Sequence, residues 1–172
     1  MSDARDKDGP GRAHLTLIGG TGSSATRERA RRAEDPAEPV VRARLAALTD
    51  RCDVCRTKVR GVVGILIDSA RTPDGSGFLP LHDVDELLAE RVDPRALAGR
   101  RIGPLRHRDS PGILGGYIAN GCIECDALIG RFRLDDLLHE HLQAGGTYAQ
   151  LDIGVPVELP TVALARRIAA HG

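Results

Sequence analysis

Cys52-Asp53-Val54-Cys55 and Cys122-Ile123-Glu124-Cys125 are the two stretches on which the fold turns. Two residues between thiols let a single turn aim both sulfurs at one point, and two such turns supply the four thiolates of a tetrahedral zinc site. Cys55 and Cys122 are 67 positions apart, far beyond the spacer of a compact zinc ribbon. The intervening chain must therefore fold so as to bring the pairs together, and a metal held there clamps a domain instead of creating a miniature one. The predicted ligands are Cys52, Cys55, Cys122 and Cys125, and the predicted cofactor is Zn2+. A redox dithiol is the main competitor, but it wants its first thiol at a helix N-terminus, where neither pair lies. Arg56 and Lys58 are placed either to donate to the thiolates or to be merely solvated.

Working outward from the first pair, residues 40–49 carry Val41, Leu45 and Leu48 at helical spacing, which predicts a short helix. Val59, Val62, Val63, Ile65, Leu66 and Ile67, with Gly61 and Gly64 inserted, predict a buried strand with room for a bulge. Residues 72–77 are turn chemistry. Asp83 and Glu86 resemble a capping box for a helix running to Val92, with Leu87 and Leu88 inward. Asp93-Pro94 ends that helix, and the segment to Gly112 reads as a loop. Around the second pair, residues 113–119 and 127–134 read as strands, making the pair a hairpin tip. Asp135 is the predicted cap of a helix carrying Leu134, Leu137, Leu138, His141 and Leu142, which ends at Ala144-Gly145-Gly146. Extended segments over 147–159 and a last helix over 161–170, with Val162, Ala165, Ile168 and Ala169 inward, complete the chain. The predicted fold class is α+β: a small mixed or antiparallel sheet with flanking helices, and two zinc knuckles sharing one four-cysteine site.

Residues 1–39 are rich in Arg, Asp, Glu, Gly and Ser, a composition that predicts a flexible N-terminal arm ahead of a zinc-binding domain at 40–172. Within it, His14–Ile18 could form a short strand. Gly19-Gly20-Thr21-Gly22 lacks the amphipathic helix that a dinucleotide site needs. The start carries no apolar signal, and no stretch approaches the roughly 20 apolar residues of a spanning helix. The chain is read as cytoplasmic, a compartment in which paired thiols hold metal more often than they form disulfides.

The 24 basic and 24 acidic residues cancel, and two Tyr with two Phe make up the aromatics, so neither a global field nor stacking platforms point to nucleic acid. One local basic cluster remains, Arg95, Arg100, Arg101, Arg106 and Arg108, which in a loop could neutralise phosphates. His139 and His141 lie two apart on a helix and cannot share a metal; His141 reads as a satisfied core residue. His82-Asp83 and His107 with Asp109 lack any accompanying nucleophile.

The segment Tyr117-Ile118-Ala119-Asn120-Gly121-Cys122-Ile123-Glu124-Cys125-Asp126-Ala127-Leu128-Ile129-Gly130-Arg131-Phe132 resembles uncharacterised bacterial zinc-knuckle modules. In these an aromatic residue and Asn precede the CxxC, Gly and Phe follow it, and an earlier CxxC is the partner. The resemblance spans Cys52 to about Leu138. It implies metal binding by the four cysteines and implies no reaction. Asp126 stands where such knuckles often have Gly, a position Asp can fill because it tolerates a left-handed backbone. Four thiolates leave zinc no open position for water or substrate, so the chain is read as a binding or adaptor module for another protein and not as an enzyme. A nucleic-acid role for the arginine cluster and a thiol redox sensor are the alternatives.

Overall fold

The computed structural model describes residues 38–67, 76–110 and 112–171. The predicted arm lies outside them except for residues 38 and 39, as do the His14–Ile18 strand, the Gly19–Gly22 turn and most of the turn at 72–77.

The backbone of the molecule is a long hairpin. Strand β1, Val40–Arg51, pairs antiparallel with β2, Lys58–Ile67, and the first cysteine pair forms the connection. Strand β3, Phe78–Pro80, adds to β2, and β6, Asp152–Pro160, adds to β1, giving an antiparallel sheet in the order β3-β2-β1-β6. A separate two-stranded ribbon joins β4, Leu105–Ser110, to β5, Ile113–Asn120, whose end leads into the second cysteine pair. Helices α1, Leu81–Arg91, α2, Pro94–Ala98, α3, Arg131–Gln143, and α4, Thr161–His171, complete the α+β fold. Among the described residues no helix is long and apolar enough to cross a membrane.

Residues 40–49 are strand and not helix. Ala43, Leu45 and Ala47 form a buried row at period two, while Ala46 turns to the opposite face. The leucine spacing suits either structure, so the alanines decide, and pairing on both sides with β2 and β6 settles the strand. In β2 the predicted bulge is present: Ala46 faces Gly64 and Ala47 faces Val62, leaving Val63 as the extra residue. Its effect is a change of parity. Val59 and Val63 lie in one core and Ile65 in the other, so an unbroken apolar run serves both faces.

Those faces hold separate cores. On one, Leu45, Ile65, Val157 and Leu159 meet Leu81, Val84 and Leu88 of α1 and Leu164 of α4. On the other, Ala46, Val59, Val63, Leu66 and Phe78 meet Leu134 of α3, Leu151 and the buried cysteines. Phe78 and Tyr148 stack there with ring centroids 4.4 Å apart.

Several boundaries differ from expectation, each for a local reason. Helix α1 starts at Leu81 behind Pro80, so Asp83 lies inside its first turn and does not cap it. The capping box occurs instead at Thr147 and Gln150, opening a 3-10 turn over Tyr148–Leu151 within the segment expected to be extended. Asp93-Pro94 ends α1 and also starts α2: Asp93 accepts a bond from the Arg95 N–H at 2.9 Å, and proline suits the first helical position. Later in the predicted loop, Leu105–Ser110 form β4. After the second cysteine pair only a single bridge, Gly121 to Leu128, remains of the expected strand, and α3 begins at Arg131, ahead of Asp135. In α4, Leu164 and Ile168 face the core, whereas Val162 is exposed and Ala165 points outward.

Candidate metal centre

Each cysteine pair sits in the same turn. In the first, the Cys52 N–H donates to the Thr57 carbonyl at 3.0 Å and the Arg56 N–H to the Cys52 carbonyl at 2.9 Å. In the second, the Cys122 N–H donates to the Ala127 carbonyl at 2.8 Å and the Asp126 N–H to the Cys122 carbonyl at 2.9 Å. The residue after the second cysteine is left-handed in both, with φ of 61° at Arg56 and 56° at Asp126. That backbone state curls the chain back so that both sulfurs of a pair point inward. The sequence flagged Asp126 for this role and missed Arg56, whose side chain gives no hint of a left-handed backbone.

The two turns face each other and bring all four sulfurs within 4.8 Å of one another. Across the gap Cys52 Sγ lies 3.6 Å from Cys125 Sγ, and Cys55 Sγ lies 3.6 Å from Cys122 Sγ. A tetrahedron with metal–sulfur bonds of about 2.3 Å has edges of about 3.8 Å, so the cluster has the size to hold one ion. Burial follows the same symmetry: Cys52 and Cys122, first in each pair, are buried, while Cys55 is half-buried and Cys125 exposed. The Glu124 N–H points at Cys122 Sγ at 3.4 Å.

Crowding four thiols together sets their protonation apart. Hydrogen bonds from the Thr57 side chain and backbone, helped by Cys122 and Cys125, draw the Cys55 thiol down to about 6. Against the pull of the Ala127 backbone, local desolvation of the sulfur and hydrogen bonding with the three neighbouring cysteines push the Cys125 thiol up to about 12. Thiolates at this spacing repel one another, and a cation at their centre is the physical means of ionising all four together.

The second knuckle is fastened to the domain by residues that the sequence presented as a basic loop. Arg108, with a side chain 9% exposed, donates to the carbonyls of Ala119 at 3.2 Å, Asp126 at 3.0 Å and Pro104 at 3.3 Å, and to the Asp126 carboxylate at 2.6 Å. Arg106 pairs with the other oxygen of the same carboxylate, and Arg101 pairs with Glu124 at 3.0 Å. Arg108 foremost, then Arg106, holds the Asp126 carboxyl below the usual carboxylate range. Three of the five arginines therefore brace the knuckle, while Arg95 on α2 and Arg100 remain exposed. No side chain of Arg56 or Lys58 bonds a sulfur among the described residues.

Asn120 joins this knuckle to the main sheet. Its side chain, 1% exposed, accepts the Val62 N–H at 2.7 Å and donates to the Gly103 carbonyl at 3.2 Å, and its own carbonyl accepts the Ile129 N–H. Val62 flanks the β2 bulge, so the amide fills a break in the ladder. Tyr117 acts one step further out: its hydroxyl accepts the Arg131 N–H at 3.1 Å and caps α3, with the Arg131 guanidinium over its ring. Arg131 also lies over the ring of Phe132, which is exposed. His139 and His141 take no part in the cluster; His139 contacts Gln143 at 2.7 Å and His141 Nε2 contacts the Thr147 carbonyl at 3.1 Å.

Fold and site define an α+β domain closed by paired cysteine knuckles able to hold a metal ion. Comparison with protein-family models, curated proteins and solved structures gives no match.

Proposed function

We propose that Cys52, Cys55, Cys122 and Cys125 hold one structural zinc ion, and that the domain so clamped is an adaptor presenting a rigid surface to another protein. The observation that carries the first half is the convergence of four sulfurs from two matching turns. All-thiolate tetrahedral sites are characteristic of structural zinc, and a filled shell leaves no position for water or substrate. The adaptor role draws support from the bracing around the knuckles, since Arg101, Arg106, Arg108 and Asn120 hold the second one as a fixed surface feature.

Elemental analysis of purified protein tests the metal: one zinc per chain, with four thiols becoming titratable on chelation, is expected. Iron in place of zinc, or four reactive thiols with no metal, overturns it. Affinity capture with the zinc-loaded protein tests the adaptor role, which requires a stoichiometric protein partner lost on chelation.

A redox-sensor reading also rests on a specific observation, the two cross-knuckle sulfur contacts at 3.6 Å, because zinc loss would leave thiols poised to form disulfides between knuckles. Zinc release by oxidant at levels that spare ordinary thiols would favour it. The nucleic-acid reading is weakened, since three of its five arginines are engaged within the molecule.

A further inference from the structure

Beside the metal centre lies a concave surface that the zinc reading does not use. Two adjoining clefts of about 380 and 670 Å3 share Thr49, Arg60 and Arg100. They lie where β1 extends past the start of β6, whose first partner on β1 is Ala46. The smaller cleft is also lined by Lys58 and Arg101 and by no acidic residue. The larger has one acid, Asp152, which is already satisfied: one oxygen pairs with Arg44 at 2.7 Å and the other accepts the Gly154 N–H at 2.7 Å. Among the described residues Lys58, Arg60 and Arg100 have no anionic partner. In a chain whose charges cancel overall, this is a local excess of fixed positive charge in a hollow.

The backbone holds these groups in place. Arg101 is left-handed at φ 59°, and its carbonyl accepts the Arg60 N–H, which ties the end of α2 to β2 and sets Arg60 beside Arg100. A non-glycine residue in that region is strained, and such strain gathers where a ligand is held. Gly154, left-handed at φ 66°, lies beside the Arg100 guanidinium: a Cβ built there would stand 3.4 Å from Nη2.

We propose that this cleft binds the phosphate end of a small phosphorylated molecule, with Arg60 and Arg100 as paired donors, Lys58 as a point charge and the Thr49 hydroxyl as a further donor. Guanidinium groups match phosphate oxygens two at a time, and a hydroxyl completes the shell. The concave form suits a small anion better than a duplex backbone.

Calorimetric titration of the full, metal-loaded chain with inorganic pyrophosphate and with ADP tests this. Saturable binding is expected, weakened about tenfold or more by Arg60→Gln and by Arg100→Gln and unchanged by Arg95→Gln, an exposed arginine outside the cleft. Equal affinity for the two probes would assign recognition to the phosphates alone; tighter ADP binding would extend it to a nucleotide. In the unaltered protein, amide shifts on adding pyrophosphate should centre on residues 60, 99–101 and 154, a readout that no variant's folding can affect. Absence of saturable binding, shifts centred elsewhere, or equal weakening by Arg95→Gln would overturn the proposal. So would a short RNA duplex that binds more tightly than either probe and is indifferent to the cleft substitutions.

Discussion

Asn120 is the residue whose loss says most. Removing its side chain strands the buried Val62 N–H and the Gly103 carbonyl, and Asn120→Ala should cost about 1–3 kcal/mol in chemical denaturation. Arg106 and Arg108 make a sharper comparison because both pair with Asp126. Arg108→Met takes a donor from three carbonyls, of which Pro104 keeps the Gly121 N–H, and should cost about 2 kcal/mol, whereas the exposed Arg106→Gln should cost less than about 1. The sequence exposed part of this. Asn120 and Tyr117 stood out ahead of the cysteines, but nothing local shows that Asn120 reaches a bulge on a distant strand or that a tyrosine hydroxyl caps α3. The arginines misled for the same reason: without the fold, Arg106 and Arg108 look like free charge, and the acid they hold, Asp126, is in another segment.

Among elements, the strand β2 and the helix α1 were legible because each buries a clear apolar pattern, whereas α4 was legible as a helix but its buried face, with Leu164 and not Val162 or Ala165 inward, was not. β1 was not, because its buried strand rows are built largely of alanine, whose own preference is for a helix. The start of α3 was missed because its cap comes from Tyr117 on β5. Gly64 is the position where β2 and β3 most closely constrain each other. A Cβ there would lie 2.1 Å from the Leu79 carbonyl oxygen, which is backbone and cannot rotate away. Gly64→Ala should therefore separate the strands and cost about 2 kcal/mol or more, read as a lowered denaturation midpoint with an unchanged slope. Asp50 and Arg133 link β1 to α3 through a two-bond pair, with the Asp50 side chain 8% exposed. Arg133→Met leaves that carboxylate without its partner, and increased hydrogen exchange in α3 is the expected readout.

For the molecule as a whole, an ion held by the four cysteines would join what the hydrogen-bond ladders leave separate. β1 and β2 pair with each other and β4 pairs with β5, but no ladder joins the two sets. A covalent closure spanning the interval from Cys55 to Cys122 would be worth about 4 kcal/mol in chain entropy, an upper guide for a metal clip. Against a typical total stability of about 5–15 kcal/mol, its removal is severe. Chelation, or Cys122→Ser at the most buried ligand, should lower the midpoint of thermal unfolding by about 10 °C or more. Amides of residues 120–129 should open first. The long interval between knuckles also orders events in time. A polypeptide emerging from the ribosome displays two thiols long before the other two, so during synthesis it owns half of the sulfur cluster, and capture of an ion by all four would have to wait until the ribbon has been made and laid against the hairpin.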